Sequence, residues 1–447
     1  MKSNSVSPAR LAAFEVLRRV QEGAYASVLL ASIENELKPA DRALCHELVM
    51  GVLRRQLWLD RLIALYAKRK VGELDDSVRL VLRLGLYQLR FLSRIPPSAA
   101  VNESVNLIHH ARLRSAGSLV NAVLRRATRE PDLDPTSEID DPLERLSVAT
   151  SHPAWLLKRW IDAFGVDEAD AFARANNEAA PIAFRVVNSR KSDADPVERL
   201  RGAGGELVPS QVAEGAWRIT GAGRLLAELA ATGDVYLQDE ASQLVALLLD
   251  VQPGARVLDL CAAPGSKTTQ IADLGRDSAV IVAADLHEHR LRTLLSAAQL
   301  QHLKSIQAVA LNGLQALPFV PSSFDRVLVD APCSGTGTLR RNPEIRWRIS
   351  PADIEDLARR QTQLLSNAAI GVKPGGRLIY STCSVEPEEN EEVVKSFLEN
   401  NRAFSPVSIM PAGGGQTSES ALRTWPHREG TDGFFISVFE RKALTIA

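Results

Sequence analysis

Between Pro8 and Arg129 the apolar positions recur every three or four residues: Leu11, Phe14 and Leu17; Leu44, Leu48 and Val52; Leu62, Ile63 and Tyr66; Val78, Leu82 and Leu89; Leu119, Val123 and Leu124. That spacing puts each set on one stripe of a helix, so the segment predicts helices whose stripes close on a shared core. Breaks at Gly23, Lys38-Pro39, Gly72 and Ile95-Pro96-Pro97 divide it into about six or seven helices. Ser98 or Asn102 is placed to cap the helix after the prolines. Strand signals are nearly absent.

The pattern then changes twice. Residues 131–142 alternate prolines with acidic side chains and predict a linker. Residues 143–232 combine helical spacing (Pro153 to Phe164, Val166 to Ala175) with β-like runs at Ile182 to Val187 and Gly215 to Ile219, which predicts a small α+β connector. From Gly233 onward apolar runs alternate with helical stretches, as in a parallel sheet with crossover helices. Strands are expected at Arg256 to Leu260, Val280 to Ala284, Ile306 to Ala310, Arg326 to Val329 and Arg377 to Thr382, with a last antiparallel pair that includes Phe434 to Phe439. The fold expected is therefore multidomain: an all-α bundle over 1–130, the linker over 131–142, an α+β connector over 143–232 and an α/β Rossmann-like domain over 233–447. No internal repeat is found, and no low-complexity tract beyond Gly413-Gly414-Gly415.

A length of 447 residues agrees with several domains, each able to bury a core without disulfides. Four cysteines without regular spacing, and a polar Met1-Lys2-Ser3-Asn4-Ser5 start, predict a reduced, cytoplasmic setting and no signal peptide. No apolar run reaches membrane-spanning length, so no membrane partner is expected. The net charge of -1 conceals an asymmetry. Residues 1–130 carry 21 Lys and Arg against 12 Asp and Glu, an excess of 9 positive charges, whereas residues 131–232 carry 11 against 17. A basic amino-terminal third suits a polyanion, because phosphate neutralisation follows local charge. A solvated helical surface accounts for the same counts equally well.

Candidate chemistry lies in the carboxyl-terminal half. The run Val257-Leu258-Asp259-Leu260 ends in the small-residue turn Cys261-Ala262-Ala263-Pro264-Gly265, and a helix opens near Ser266-Lys267-Thr268. Backbone N–H groups would there line a pocket at a sheet's carboxyl edge, where an adenosine-bearing ligand fits. Asp285 closes the next strand, a position suited to gripping ribose hydroxyls. A phosphate-binding P-loop is excluded by Ser266 before Lys267, and a dinucleotide fingerprint by the missing Gly-x-Gly-x-x-Gly. A tight strand-to-helix turn without a ligand remains the alternative.

Two more cysteines stand at strand ends, in Asp330-Ala331-Pro332-Cys333-Ser334 and Ser381-Thr382-Cys383-Ser384. In the strand order usual for doubly wound methyltransferase-like sheets the two strands are neighbours, and Cys333 and Cys383 face each other across a substrate. A thiolate is the natural group to add to an electron-poor double bond such as carbon 6 of a pyrimidine. A lone buried cysteine is commonly just a small core residue; two in polar loops weaken that reading. Asp330 is placed to accept from a base's exocyclic amine, or simply to cap its loop. Pro332 stiffens the loop, and Gly335 and Gly337 allow close backbone approach. Downstream, Arg340, Arg341, Arg346, Arg348 and Trp347 suggest phosphate grip plus stacking, against the alternative of a solvated cationic loop. His287-x-His289 and His109-His110 complete no ligand set, so no metal is expected.

These motifs, with Arg340-Arg341-Asn342-Pro343-Glu344 and Tyr380-Ser381-Thr382-Cys383-Ser384, resemble those of the NOL1/NOP2/Sun-type RNA (cytosine carbon-5) methyltransferases. The amino-terminal bundle is similar to NusB-type RNA-binding domains at Val101-Asn102-Glu103-Ser104-Val105 and Leu119-Val120-Asn121-Ala122-Val123-Leu124-Arg125. The pairing points to the bacterial branch that modifies small-subunit (16S) rRNA, and the resemblance covers essentially the whole chain. It implies a NusB-like bundle followed by a class I methyltransferase domain, with S-adenosylmethionine held by Cys261, Ala262, Ala263, Pro264, Gly265, Ser266, Lys267, Asp285, Asn312 and Asp330. It further implies Cys383 as nucleophile on carbon 6 of cytosine, Cys333 assisting loss of the carbon-5 proton and enzyme release, and Asp330 and Lys267 beside them in the catalytic set. One departure is Leu311-Asn312-Gly313, where the family typically has Asp-Gly; Asn still donates and accepts at an adenine edge. The expected partner is 16S rRNA, free of or early in ribosome assembly, bound by a monomer. Three other readings stand beside this one: a DNA-type enzyme with Cys333 as nucleophile, a tRNA cytosine-5 methyltransferase, and a non-catalytic RNA-binding or antitermination factor.

Overall fold

The apolar stripes of residues 8–129 meet in one bundle of seven α-helices: α1 Pro8–Gln21, α2 Ala26–Ser32, α3 Pro39–Arg54, α4 Gln56–Ala67, α5 Asp76–Phe91, α6 Pro97–His110 and α7 Gly117–Arg129. The computed structural model describes residues 6–33, 36–190, 194–409, 416–417 and 421–443; the Gly413-Gly414-Gly415 tract lies outside them. Phe14, Leu17, Leu48, Val52, Leu62 and Leu124 are all buried in the bundle core. Neither Ser98 nor Asn102 caps α6. Pro96 occupies the N-cap and Pro97 the first helical position, where a fixed φ and a missing N–H cost nothing, so the helix begins before either polar residue.

The described residues form two compact units, one comprising Met1–Ala179 with Leu339–Arg348, the other Ala180–Thr338 with Ile349–Ala447. Helices α8 Pro142–Thr150, α9 Ala154–Phe164 and α10 Val166–Ala175, which the sequence pattern put in the connector, therefore group with the bundle. Asp141 caps α8 through Glu144 N at 2.7 Å, and Trp160 packs edge-on against Phe172 with ring centroids 4.7 Å apart.

The short helix α16 Ile345–Arg348 belongs to the same unit, and it corrects the phosphate-grip expectation. Arg346 is 0% exposed, and its guanidinium donates to Ser151 O at 3.1 Å and Asn177 Oδ1 at 2.9 Å. Arg348 donates to Val20 O and Ala24 O, each at 2.6 Å. Both side chains satisfy backbone and amide oxygens within the unit. Burial, reinforced by the neighbouring Arg54 and Arg55, lowers the Arg346 guanidinium to about 9.

In the second unit an antiparallel sheet has the order β2-β3-β1-β4, built from β1 Ile182–Val186, β2 Glu206–Pro209, β3 Ala216–Thr220 and β4 Val235–Leu237. With α11 Pro196–Gly202 and α12 Gly223–Thr232 it encloses Phe184, Leu200, Leu226 and Val235. Strand β4 lies past residue 232 yet pairs with β1, Phe184 opposite Leu237. Helix α13 Glu240–Leu248 leads into the larger sheet.

That sheet contains β5 Arg256–Leu260, β6 Val280–Asp285, β7 Ile306–Ala310, β8 Phe324–Asp330, β9 Val372–Thr382, β10 Phe404–Pro406, β11 Gln416–Thr417, β12 Leu422–Thr424 and β13 Phe434–Arg441. The order is β11-β12-β13-β9-β8-β5-β6-β7, with β10 on β13. Strands β5 to β9 run parallel, and β13 returns antiparallel on β9. Val257, Leu258, Val327, Leu328, Leu378 and Ile379 are fully buried, which is why these strands read as continuous apolar runs. Crossovers are made by α14 Ser266–Leu274, α15 Glu288–Leu300 and α17 Pro351–Ile370, and α18 Glu391–Asn400 follows β9. From β5 the chain builds outward to β6 and β7, then crosses back to β8 and β9. The crevice above β5 and β8 is thus the switch point of a doubly wound sheet.

Replacing Arg346 by Ala leaves buried carbonyls unpaired and opens a cavity. The Arg346→Ala variant is expected to lose about 3 kcal/mol of stability in urea denaturation of the full chain, whereas Arg359→Ala, on exposed α17 surface, is expected to change it by less than about 0.5 kcal/mol.

Candidate active site

Strand β5 delivers Leu260 to the sheet edge, and the next residue, Cys261, turns the chain with φ 72°. Gly265 has φ 110°, and a Cβ there would stand 2.6 Å from Leu294 Cγ on α15, so only glycine lets α14 start at Ser266 against that helix. The turn is held from outside. Asp285 Oδ2 accepts Ala263 N–H at 3.1 Å, and Arg290 Nη2 donates to Ala263 O at 2.9 Å. Asp285 Oδ1 accepts His287 N–H at 3.0 Å. Each oxygen keeps a lone pair free, so this carboxylate suits the vicinal diol of a ribose. Asn312 Oδ1 accepts Leu314 N–H at 3.0 Å, which spends its acceptor on its own loop and leaves the amide NH2 as the group to offer a ligand.

Below the turn, Asp259 is 1% exposed. Its Oδ2 accepts Thr268 Oγ1–H at 2.6 Å, while Oδ1 has no partner among the described residues. Burial pushes this carboxyl up to about 7, against the opposing bond from Thr268. Lys267 Nζ donates to Asp330 Oδ2 at 2.7 Å and lies 5.1 Å from the Phe434 ring centroid. Burial alone would lower this ammonium, yet Asp330, with help from Cys383 and Asp259, outweighs it and holds the group above its ordinary value. Ser381 Oγ donates to the other Asp330 oxygen at 2.8 Å.

The register of β8 on β9 sets Asp330 opposite Ser381, so the loops leaving both strands start side by side. Cys333 Sγ and Cys383 Sγ come within 3.3 Å as free thiols in hydrogen-bond contact. Gly337 pins the first loop: its N–H donates to Cys383 O at 2.9 Å, and a Cβ there would fall 1.9 Å from Gly433 O. The hydrogen bond to Cys383 is the largest influence raising the Cys333 thiol well above its ordinary value, followed by burial and the charges of Cys383 and Glu389.

The sheet edge therefore gathers Cys261 to Lys267, Asp285, Asn312, Asp330, Cys333 and Cys383 on the switch-point loops. Sequence reasoning missed Arg290 and the buried pair Glu389 and Asn390. Glu389 accepts Ser334 N–H at 2.8 Å, and Asn390 receives Thr382 Oγ1–H at 2.6 Å while donating to Ser384 O at 2.9 Å. The stretch Glu386 to Glu392 reads as an exposed acidic run, and only the Asn within it hints at inward hydrogen bonding. Among the described residues no cluster of three His, Cys, Asp or Glu could hold a metal, and no helix is long and apolar enough to cross a membrane.

Known proteins share the domain plan of this chain. A family model described as 16S rRNA methyltransferase RsmB/F matches residues 246–440, a NusB family model matches 7–129, and a ferredoxin-like domain model of RsmF/B-like methyltransferases matches 152–225. A Bacillus subtilis protein named probable ribosomal RNA small subunit methyltransferase B is 35% identical, covering 99% of this chain and 100% of the relative. Ribosomal RNA small subunit methyltransferase B of Cronobacter sakazakii is 32% identical over 98% of this chain and 99% of its own length. The crystal structure of a protein named PH0851 superposes with a TM-score of 0.84 at 27% identity, covering 98% of this chain and 99% of that one. A methyltransferase homologue from Pyrococcus horikoshii matches with a TM-score of 0.59 at 29% identity, over 68% of this chain and 99% of its own. A NusB-type bundle, a ferredoxin-like connector and a Rossmann-like sheet in one chain, matched along their length by these relatives, place it in the RsmB/F family of S-adenosylmethionine-dependent methyltransferases.

Proposed function

We propose that this methyltransferase modifies carbon 5 of a cytosine in 16S rRNA through a covalent bond between Cys383 and carbon 6. The observation that carries the reading is the 3.3 Å approach of two free thiols, with the Lys267–Asp330 ion pair at the adjoining strand ends. A thiol held in its protonated form is a poor nucleophile. The raised Cys333 thiol therefore favours Cys383 as the attacking group, the reverse of the DNA-type assignment.

The chain's residues divide the work. The turn Cys261 to Lys267, Asp285, Asn312 and Asp330 would hold S-adenosylmethionine, with Asp285 on the ribose hydroxyls and the Asn312 amide at the adenine. When bound, it supplies the methyl group that carbon 5 accepts. Cys383 Sγ, reacting as the thiolate, bonds to carbon 6 as the carbon 5–carbon 6 π bond breaks, and that electron pair makes carbon 5 nucleophilic. Lys267 fixes Asp330, whose carboxylate is aimed at the exocyclic amine of the base. Once Cys383 is bonded to cytosine, its hydrogen bond and charge no longer raise Cys333, which becomes easier to ionise and can assist removal of the carbon-5 proton. Loss of that proton restores the carbon 5–carbon 6 double bond, breaks the Sγ–carbon bond and returns Cys383. The basic residues of 1–130 supply affinity for the RNA, while the sheet domain receives a cytosine turned out of its stack.

Two outcomes are expected. Bisulfite sequencing of 16S rRNA from cells with and without the gene should reveal one cytosine protected only when the protein is present. On unmodified 16S rRNA, Cys383→Ala should form no adduct stable to denaturing gels, whereas Cys333→Ala should accumulate one; an adduct with Cys383→Ala would reverse the assignment.

A third expected outcome concerns Asp259. Between its ordinary value of 3.8 and about 7 the folded chain holds a proton that the unfolded chain releases, so folding stability declines as pH rises through that window. Asp259→Asn has no such titration. Its unfolding free energy relative to wild type should climb from pH 5 to about 7.5 and then level off, a gain of up to a few kcal/mol read from urea denaturation at each pH. A difference independent of pH would contradict the buried titration.

A further inference from the structure

Glu389 ends the single 3-10 turn Pro387–Glu389 ahead of α18 and is 0% exposed. One carboxylate oxygen accepts Ser334 N–H at 2.8 Å and Gln361 Nε2 at 2.9 Å. The other accepts the hydroxyls of Ser334 and Ser384. Gln361 donates in addition to Pro332 O at 2.9 Å, and the Glu389 carbonyl accepts the Tyr380 hydroxyl. A single carboxylate thus grips the residue after each thiol, Ser334 and Ser384, and reaches the residue before Cys333 through Gln361.

We propose that Glu389 is the positioning residue that sets the approach of Cys333 to Cys383 by binding both thiol-bearing loops at once. Apolar packing does not fix this distance. The two sulfurs sit on different loops, one after β8 and one after β9, and besides Glu389 the direct ties between those loops among the described residues include the Ala331 N–H on Ser381 O, the Gly337 N–H on Cys383 O, the Val385 N–H on Thr336 Oγ1 and the hydroxyl contacts among Ser334, Thr336 and Ser384. Those hydroxyls rotate freely until an acceptor orients them, and Glu389 is the acceptor for two of the three. The inference rests on the proposed function for its purpose, while the placement of the thiols can be measured without any turnover.

The experiment uses the full-length protein without added cofactor and the bifunctional thiol reagent dibromobimane, which becomes fluorescent when both arms have reacted. Glu389→Asp keeps the charge but withdraws the carboxylate by one methylene, so it reaches one loop at a time. Glu389→Gln keeps the length; its oxygen faces the two N–H donors and its NH2 faces two hydroxyls able to accept. Cross-linking of Cys333 to Cys383 should fall about ten-fold or more in Glu389→Asp and stay within about two-fold of wild type in Glu389→Gln, and methyl transfer to rRNA should fall about 100-fold in Glu389→Asp.

A purely structural role would not move a pH profile. The groups facing Cys333 are Cys383, Glu389 and the Tyr380 phenol. In a Cys383→Ala background, Glu389→Gln should therefore bring the half-point of Cys333 alkylation by iodoacetamide to lower pH. Wild-type cross-linking in Glu389→Asp, equal losses in both variants, or an unmoved alkylation profile would each overturn the proposal. Should Glu389→Asp fail to fold, Gln361→Leu must still lower cross-linking several-fold, and unchanged cross-linking would overturn it. A wild-type protein with Glu389-dependent cross-linking but no carbon-5 methylation of rRNA would sink the proposed function and leave the positioning role intact.

Discussion

Parallel pairing of β8 with β9, Asp330 opposite Ser381, is the constraint on which the site depends. Side chains alternate across a sheet, so a slip of one residue would turn Asp330 away from Lys267 and start the two thiol loops out of step. The register is secured beneath the site, by Val327 opposite Leu378 and Val329 opposite Tyr380, buried on a sheet covered on both faces. At roughly 1.5–3 kcal/mol for each large apolar side chain removed from water, that interior outweighs any single polar contact at the edge. The chemistry is placed by a core that takes no part in it.

Above the edge the controlling forces change. The loops carrying Cys333 and Cys383 are short and rich in small polar residues, with little apolar surface to bury, and hydrogen bonds hold them. Glu389, Thr336, Ser384 and Gln361 are buried and their bonds connect the two loops, while the buried Asn390 braces the Cys383 loop from within. Bonds to a charged acceptor are worth about 1.5–3 kcal/mol each, so four donors on one carboxylate can offset much of the cost of burying it. Such a network is geometrically strict in a way that apolar packing is not.

Legibility in sequence follows the same division. The parallel strands were readable because both faces are buried and the apolar runs are nearly unbroken; the bundle was readable because its helices are long and striped. Strands β2 and β4, of four and three residues, escaped notice because neither is long enough to show alternation. Arg346 and Arg348 were misread for a different reason: a guanidinium that grips phosphate and one that fills a pocket of backbone carbonyls have the same local sequence. Glu389 was hidden in an acidic run for that reason too. Motif residues at strand ends could be found because topology alone brings them together, whereas the groups holding them needed coordinates.

The same logic explains how two identical side chains can take different parts. Cysteine has one ordinary titration, and apart from the motifs around them nothing in the sequence separates Cys333 from Cys383. What separates them is their surroundings: Cys333 stands within reach of the Glu389 charge, while Cys383 stands within reach of the Lys267 ammonium. A negative group near one thiol and a positive group near the other give the pair a polarity. On the proposed reading that polarity is what lets one sulfur attack and the other wait. It also lapses by itself once the attacking sulfur is bonded to the base, so the waiting thiol is released by the step that precedes its own.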